Sequence, residues 1–208
     1  KVNETKAKII SGELDSTFSA LYGEEKISFA RARYENAINE FEKIYGGDRE
    51  ISLFSVSGRS ELSGNHTDHN YGCVIAASID LDIIAVASPT EGSVIRIKSE
   101  GFPEDIVESA AIDAPDPAKF FTSAAIIAGM EKAFLNAGYK IGGFDACVTS
   151  SVASGSGLSS SAAVEVLLCA IFDELYNGGH ALDAKQRARI SQYAENVYFG
   201  KPCGMLDQ

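Results

Sequence analysis

Three short stretches concentrate the residue types that could do chemistry: 58–69, 153–163 and 200–208. The middle one reads Ala-Ser-Gly-Ser-Gly-Leu-Ser-Ser-Ser-Ala-Ala. A backbone that wraps around phosphates needs residues such as Gly155 and Gly157, which tolerate positive φ and leave room for close approach. A helix starting just beyond them points free N–H groups and its positive dipole end at the anion. Ser156 and Leu158 fall within this loop. Ser159, Ser160 and Ser161 add hydroxyls, one of which could ligate Mg2+. No lysine follows the glycines, so this is not a Walker A loop. For a Gly-Ser-Gly fragment alone, a turn ahead of a core helix is the plainer reading. The strand-like segment 144–152 before it and the apolar helical one at 162–176 after it favour an anion loop.

Residues 58–69, Gly-Arg-Ser-Glu-Leu-Ser-Gly-Asn-His-Thr-Asp-His, are dense in hydrogen-bonding side chains. Asn65 and Asp68 can accept from neighbouring sugar hydroxyls, and His66 can donate or accept. Arg59 could stabilise charge on a transferring phosphoryl group. Each has a plainer alternative: Asp68 as the cap of a turn, His66 as a satisfied structural histidine. The third stretch is Gly-Lys-Pro-Cys-Gly-Met-Leu-Asp-Gln. An aspartate in a glycine-flanked turn is commonly structural. Asp207 would nevertheless suit a general base for a sugar hydroxyl if Arg59 lay nearby to hold it ionised. Sequence leaves open whether it takes the proton or mainly orients the hydroxyl.

Something must position these stretches. Residues 1–10 are polar and are expected to fray. Residues 27–45 carry Phe29, Ala30, Tyr34, Ala37, Ile38, Phe41 and Ile44 at helical spacing, with a charged opposite face, and Gly46-Gly47 ends the helix. Strands are expected over 51–57, 74–87 and 93–99, with 58–71 a polar loop and 89–92 a turn. Residues 115–117 open a helix over about 118–136, closed by Gly138. A strand over 144–152 delivers the glycine loop, and the helix behind it, 162–176, is capped by Asn177-Gly178-Gly179. A last helix spans about 183–199. Strands and helices interleave irregularly, so the fold class is α+β.

The chain has 208 residues, enough to bury a substantial single-domain core. Its formal net charge of −11 repels phosphate backbones and anionic lipid, so neither nucleic acid nor a membrane is an expected partner. Cys73, Cys147, Cys169 and Cys203 are far apart, without CxxC spacing. They read as reduced thiols of a cytoplasmic protein rather than disulfides or zinc ligands. No apolar run resembling a signal peptide opens the sequence. The apolar stretch 72–88 is interrupted by Asp80 and Asp82 and reads as strand, not membrane span. Oligomeric state is left open.

Taken together, the three stretches resemble galactokinases, members of the GHMP family of small-molecule kinases. Those enzymes typically carry Gly-Arg-x-Asn-Leu-Ile-Gly-Glu-His-Thr-Asp-Tyr, then Gly-x-Gly-Leu-Ser-Ser-Ser-Ala, then Pro/Asn-Cys-Gly-Ile-Met-Asp-Gln. All three occur here in that order, and Ala194-Glu195-Asn196 also fits. The resemblance spans about 53–208. It implies the GHMP N-terminal domain, of the ribosomal protein S5 domain 2-like type, with a mixed sheet flanked by helices and a helical extension at about 1–50. It implies ATP-dependent phosphorylation of the C1 hydroxyl of galactose or a close relative, with ATP and Mg2+ required. Arg59 and Asp207 match the catalytic pair. Asn65, His66, Asp68 and Gly204 match sugar-binding positions. Residues 155–161 match the ATP phosphate loop, and Ser161 and Glu195 the positions that hold Mg2+.

Several positions depart from the pattern. Asn65 stands where the family has glutamate, His69 where it has tyrosine, Glu61 where it has asparagine, Ser63 where it has an apolar residue, and Ser57 where it has proline. Asn65 matters most, because that glutamate normally contacts the sugar 6-hydroxyl. An amide still bonds a hydroxyl, and the lost charge would no longer repel a 6-carboxylate, so galacturonate is an alternative substrate. The resemblance also implies a C-terminal domain that this sequence does not include, so the 208 residues alone are expected to turn over little or no substrate. A non-catalytic sugar and ATP sensor is the competing reading, disfavoured because Arg59, Asp207 and the three serines are all kept. Mevalonate and homoserine kinases share the glycine-serine loop but not the other two stretches.

Overall fold

A computed structural model describes residues 1–108, 114–153 and 155–208. Its frame is a five-stranded mixed sheet of β1 (Ser52–Ser63), β2 (Ile75–Pro89), β3 (Val94–Ser99), β4 (Glu104–Glu108) and β5 (Phe144–Ser150). The spatial order is β1-β2-β5-β3-β4, and every pairing is antiparallel except β3 with β5. Side-chain alternation along β2 explains why both faces are covered. Ile83, Ala85 and Ala87 join one buried cluster, whereas Ile84 and Val86 join another.

On the second of these faces lie α1 (Val2–Ser11), α2 (Asp15–Tyr22) and α3 (Ile27–Tyr45). On the first lie α4 (Ser123–Asn136), α5 (Ser160–Asn177) and α6 (Ala184–Tyr193), packed through Ile127, Met130, Phe134, Leu167 and Phe172. The amphipathic reading of α3 matches its observed limits, with Ala30, Tyr34, Ala37, Ile38 and Phe41 buried. Residues 1–10, in contrast, do not fray. Val2 and Ile9 are fully buried against that same cluster, and tertiary packing outweighs the polar composition.

Other boundaries differ for identifiable reasons. β1 continues through 58–63, which sequence assigns to a loop, because Arg59, Ser60 and Glu61 pair with Ser78, Ala77 and Ala76. The helix expected from 118 begins at Ser123, because Thr122 caps it, its Oγ1 accepting from the Ala125 N–H at 3.2 Å. A separate 3-10 turn at Pro117–Lys119 precedes it. The last helix is α6 followed by a π-helical turn, Ala194–Phe199. Among the described residues no helix is long and apolar enough to cross a membrane.

Two buried carboxylates tie the second helical layer and the sheet together. Asp82 accepts from Tyr22 Oη and Ser55 Oγ, each at 2.6 Å, and pairs with Arg33 of α3. Asp145 has no exposed surface and accepts from Arg96 Nε at 2.6 Å and Arg49 Nη1 at 3.0 Å. Asp145→Ala removes a buried anion and strands two guanidinium groups. It is expected to destabilise the fold by about 3 kcal/mol, read as the loss of unfolding free energy in urea.

Candidate active site

Arg59 is where the three chemical stretches meet. The pairing between β1 and β2 shifts register between Ser57 and Arg59, leaving Gly58 at a bulge. A Cβ at Gly58 would lie 2.9 Å from the Leu158 carbonyl oxygen, so glycine is what lets the glycine loop approach β1. The Arg59 N–H donates to that same carbonyl at 3.3 Å. Its guanidinium then spans the site. Nε and Nη2 donate to Asp207 Oδ1 at 2.9 and 2.5 Å, Nη1 donates to the Gly157 carbonyl at 2.6 Å, and Nη2 lies 3.0 Å from His66 Nε2. Arg59 and Asp207 are thus in direct contact although 148 positions apart in the chain.

His66 and Asp68 are carried by a tight turn. Gly64 has φ +116°, and Asn65 and His66 are both left-handed at +52°. That bend swings His66 back toward Arg59. Asp68 reaches the terminal stretch, where its Oδ2 accepts from the Leu206 N–H at 2.9 Å. Gly204 makes this possible: a Cβ there would fall 1.7 Å from Asp68 Oδ2. Asn65 is not brought into the cluster. It is exposed, and its side chain makes no hydrogen bond among the described residues.

The glycine loop has the geometry of an anion cradle. Gly155, Gly157 and Ser159 take φ of +73°, +76° and +59°, and Ser156 Oγ closes the turn on the Ala153 carbonyl at 2.6 Å. Ser154 lies outside the described residues. The first backbone bond of α5 runs from Ala163 N to Ser159 O at 3.0 Å. The N–H groups of Ser160, Ser161 and Ala162 therefore lack intrahelical acceptors and present the positive helix end. Ser159 Oγ is buried without a hydrogen-bond partner among the described residues, a polar atom left for a ligand.

Behind the loop, Ser161 Oγ donates to Glu195 Oε1 at 3.3 Å. Lys201 Nζ donates to the same oxygen at 2.7 Å, and Gln208 Nε2 donates to Glu195 Oε2 at 2.9 Å and Glu165 Oε2 at 3.1 Å. The π-helical turn is what delivers Glu195 here, and such turns recur at functional sites. Asn196, next in sequence, clamps the terminal stretch through both backbone groups of Cys203. One hydroxyl and one carboxylate side by side fit Mg2+, which takes few protein ligands and completes its shell with phosphates and water.

Sequence reasoning misses Glu165, Lys201 and Gln208. Glu165 carries a signal: it lies four residues after Ser161, on the same helix face. Burial and then the neighbouring Glu195 push its carboxyl up to about 8. Between about pH 4.5 and 8 the folded chain keeps a proton that the unfolded chain releases, so stability falls as pH rises through that window. Glu165→Gln removes this slope. Relative to the native chain it should gain about 2 kcal/mol or more between pH 5 and 8.5, measured by urea unfolding at both.

A mixed sheet that carries a glycine-serine loop onto a helix N-terminus, beside an arginine-held aspartate, is the architecture of a GHMP kinase N-terminal domain. Comparison with known proteins agrees. Residues 122–208 match the GHMP kinases N terminal domain, and residues 39–89 match the galactokinase galactose-binding signature. Both matches, and the galactokinases below, make the chain similar to galactokinases within the GHMP kinases. It is 38% identical to the galactokinase of Streptomyces coelicolor over 81% of its length and 42% of the relative's. It is 35% identical to that of Pyrococcus furiosus over 73% and 41%. The solved Lactococcus lactis galactokinase complexed with galactose superposes with a TM-score of 0.74 at 30% identity, over 81% of this chain and 43% of that one. Methanococcus jannaschii mevalonate kinase shares the fold, with a TM-score of 0.62 at 17% identity over 76% and 50%. The chain therefore spans about 42% of the length of the curated galactokinases it matches.

Proposed function

We propose that these residues form the sugar- and phosphate-binding half of an ATP-dependent sugar 1-kinase, acting on galactose or a close relative in the cytoplasm. The observation that carries this reading is the single Arg59 guanidinium bonded at once to Asp207, to the Gly157 carbonyl of the anion loop and to His66. It joins a candidate base, a candidate phosphate site and a candidate sugar loop.

The roles follow from that geometry. His66 and Asp68 bind hydroxyls of the acceptor and orient it. Asp207, ion-paired with the guanidinium, accepts or aligns the proton of the attacking C1 hydroxyl. The N–H groups of Ser160, Ser161 and Ala162, with the Ser159 hydroxyl, bind the ATP phosphates. Ser161 and Glu195 would hold Mg2+, which supplies neutralisation of phosphate charge. Arg59 adds positive charge between nucleophile and phosphate, so the protein contributes positioning and electrostatics more than covalent chemistry.

The test is ADP release by the protein expressed from its whole reading frame, with galactose, galacturonate, glucose and N-acetylgalactosamine side by side. Turnover of galactose or galacturonate supports the reading. ATP and sugar bound without turnover would make the protein a sensor and overturn it.

A further inference from the structure

Glu61 takes no part in the roles above, yet its carboxylate is built into the same cluster. Its side chain is 20% exposed. Oε1 accepts from the His66 backbone N–H at 3.0 Å, and Oε2 lies 3.8 Å from His66 Nε2. That ring nitrogen is 3.0 Å from Arg59 Nη2 and 3.9 Å from Asp207 Oδ1. The result is a continuous line: Glu61, His66, Arg59, Asp207.

The carboxylate has two physical consequences. An anionic acceptor on the His66 N–H stabilises two successive non-glycine residues in the left-handed region, which otherwise costs energy at each. It also sets the sign of the field. Glu61, Asp68 and Asp207 bring three carboxylates to the sugar loop and terminal turn, against the one guanidinium of Arg59. Lys201 is engaged with Glu195 instead. Position 65, where a missing charge made a uronic acid attractive on sequence grounds, is exposed and outside the cluster. A negative charge stands four residues earlier, inside it.

We propose, resting on the reading of these residues as a sugar site, that Glu61 is a positioning and specificity-determining residue: it holds His66 against Arg59 and rejects acceptors that carry a carboxylate. The acceptor is then a neutral, hydroxyl-only sugar and not a uronic acid. A like charge held within a Debye length of ~8 Å disfavours an anionic ligand and leaves a neutral one unaffected.

The experiment measures calorimetric binding and steady-state turnover of galactose and galacturonate by the protein expressed from its whole reading frame. It compares the native protein, Glu61→Gln and Glu61→Ala. Glutamine keeps an acceptor for the His66 N–H but removes the charge. The native protein should bind galactose at least ten-fold more tightly than galacturonate. Glu61→Gln should narrow that gap at least five-fold by gaining affinity for galacturonate. Glu61→Ala should raise KM for galactose about ten-fold while kcat falls less than three-fold. A native preference for galacturonate, or a ratio unchanged in Glu61→Gln, overturns the proposal. Binding that follows the expected pattern without turnover would uphold Glu61's role and remove the kinase reading. Galactose turnover with an unchanged ratio would do the reverse. Binding of neither sugar to protein shown to be folded by its thermal transition overturns both.

Discussion

Asp207→Asn lowers kcat for sugar phosphorylation about a thousand-fold and moves KM for the sugar less than about five-fold. The asparagine is nearly isosteric, so the turn that Asp68 and Asn196 hold from either side is preserved. What disappears is the anion. The Asp207 carboxylate accepts two hydrogen bonds from Arg59, at 2.9 and 2.5 Å, and an amide oxygen in that place is a poor proton acceptor. Arg59→Lys should cost a similar amount, because an ammonium cannot span Asp207, Gly157 and His66 as a planar fork does. Because the two residues act as a unit, the double variant should lose little beyond either single one. Steady-state kinetics at saturating ATP check this. A loss of less than ten-fold in Asp207→Asn would reduce that residue to a structural part of the turn.

Gly204→Ala raises KM for the sugar thirty-fold or more while leaving KM for ATP within about three-fold. The added methyl would overlap Asp68, with Oδ2 at 1.7 Å and Cγ at 2.3 Å from the new Cβ. Asp68 has to swing away, losing its bond from the Leu206 N–H, and a lost hydrogen bond to a half-buried carboxylate costs about 2–3 kcal/mol, equivalent to that change in KM. The glycine loop meets Arg59 through Nη1, whereas Nε and Nη2 face Asp207, which is why ATP should be spared. Parallel KM measurements for both substrates decide it. Equal loss for sugar and ATP would point to a general collapse of the terminal turn.

How much of this is legible in sequence depends on the range of the interaction concerned. The helix at Ile27–Tyr45 is readable because its own apolar spacing determines which face is buried. The Gly155–Ser161 loop is readable because positive φ and hydroxyl density are local properties. β1 beyond Ser57 is not, since its polar residues are strand only because Ser78, Ala77 and Ala76 lie alongside. Helix α2 (Asp15–Tyr22) and β4 (Glu104–Glu108) escape a sequence reading, each being short and only partly buried. Within the site, chemistry and a family resemblance pair Arg59 with Asp207, and the distance between them comes from the fold. Glu61 stands out in sequence only as a departure from a pattern. Nothing local indicates that its carboxylate turns back onto His66, because that depends on left-handed backbone at two non-glycine residues. Glu165 and Gln208 are hidden for a similar reason: their meeting at Glu195 is a tertiary event.

One arginine, on this reading, unites a sugar site, a base and a phosphate loop for transfer to an anomeric hydroxyl. The decisive experiment is phosphorus NMR of a reaction containing ATP, Mg2+, galactose and the protein expressed from its whole reading frame. The expected spectrum holds one new phosphomonoester, coupled to the anomeric proton of galactose, formed in step with ADP and absent with Asp207→Asn. Phosphate on another carbon, or free phosphate released with no sugar ester, would refute transfer to the anomeric hydroxyl.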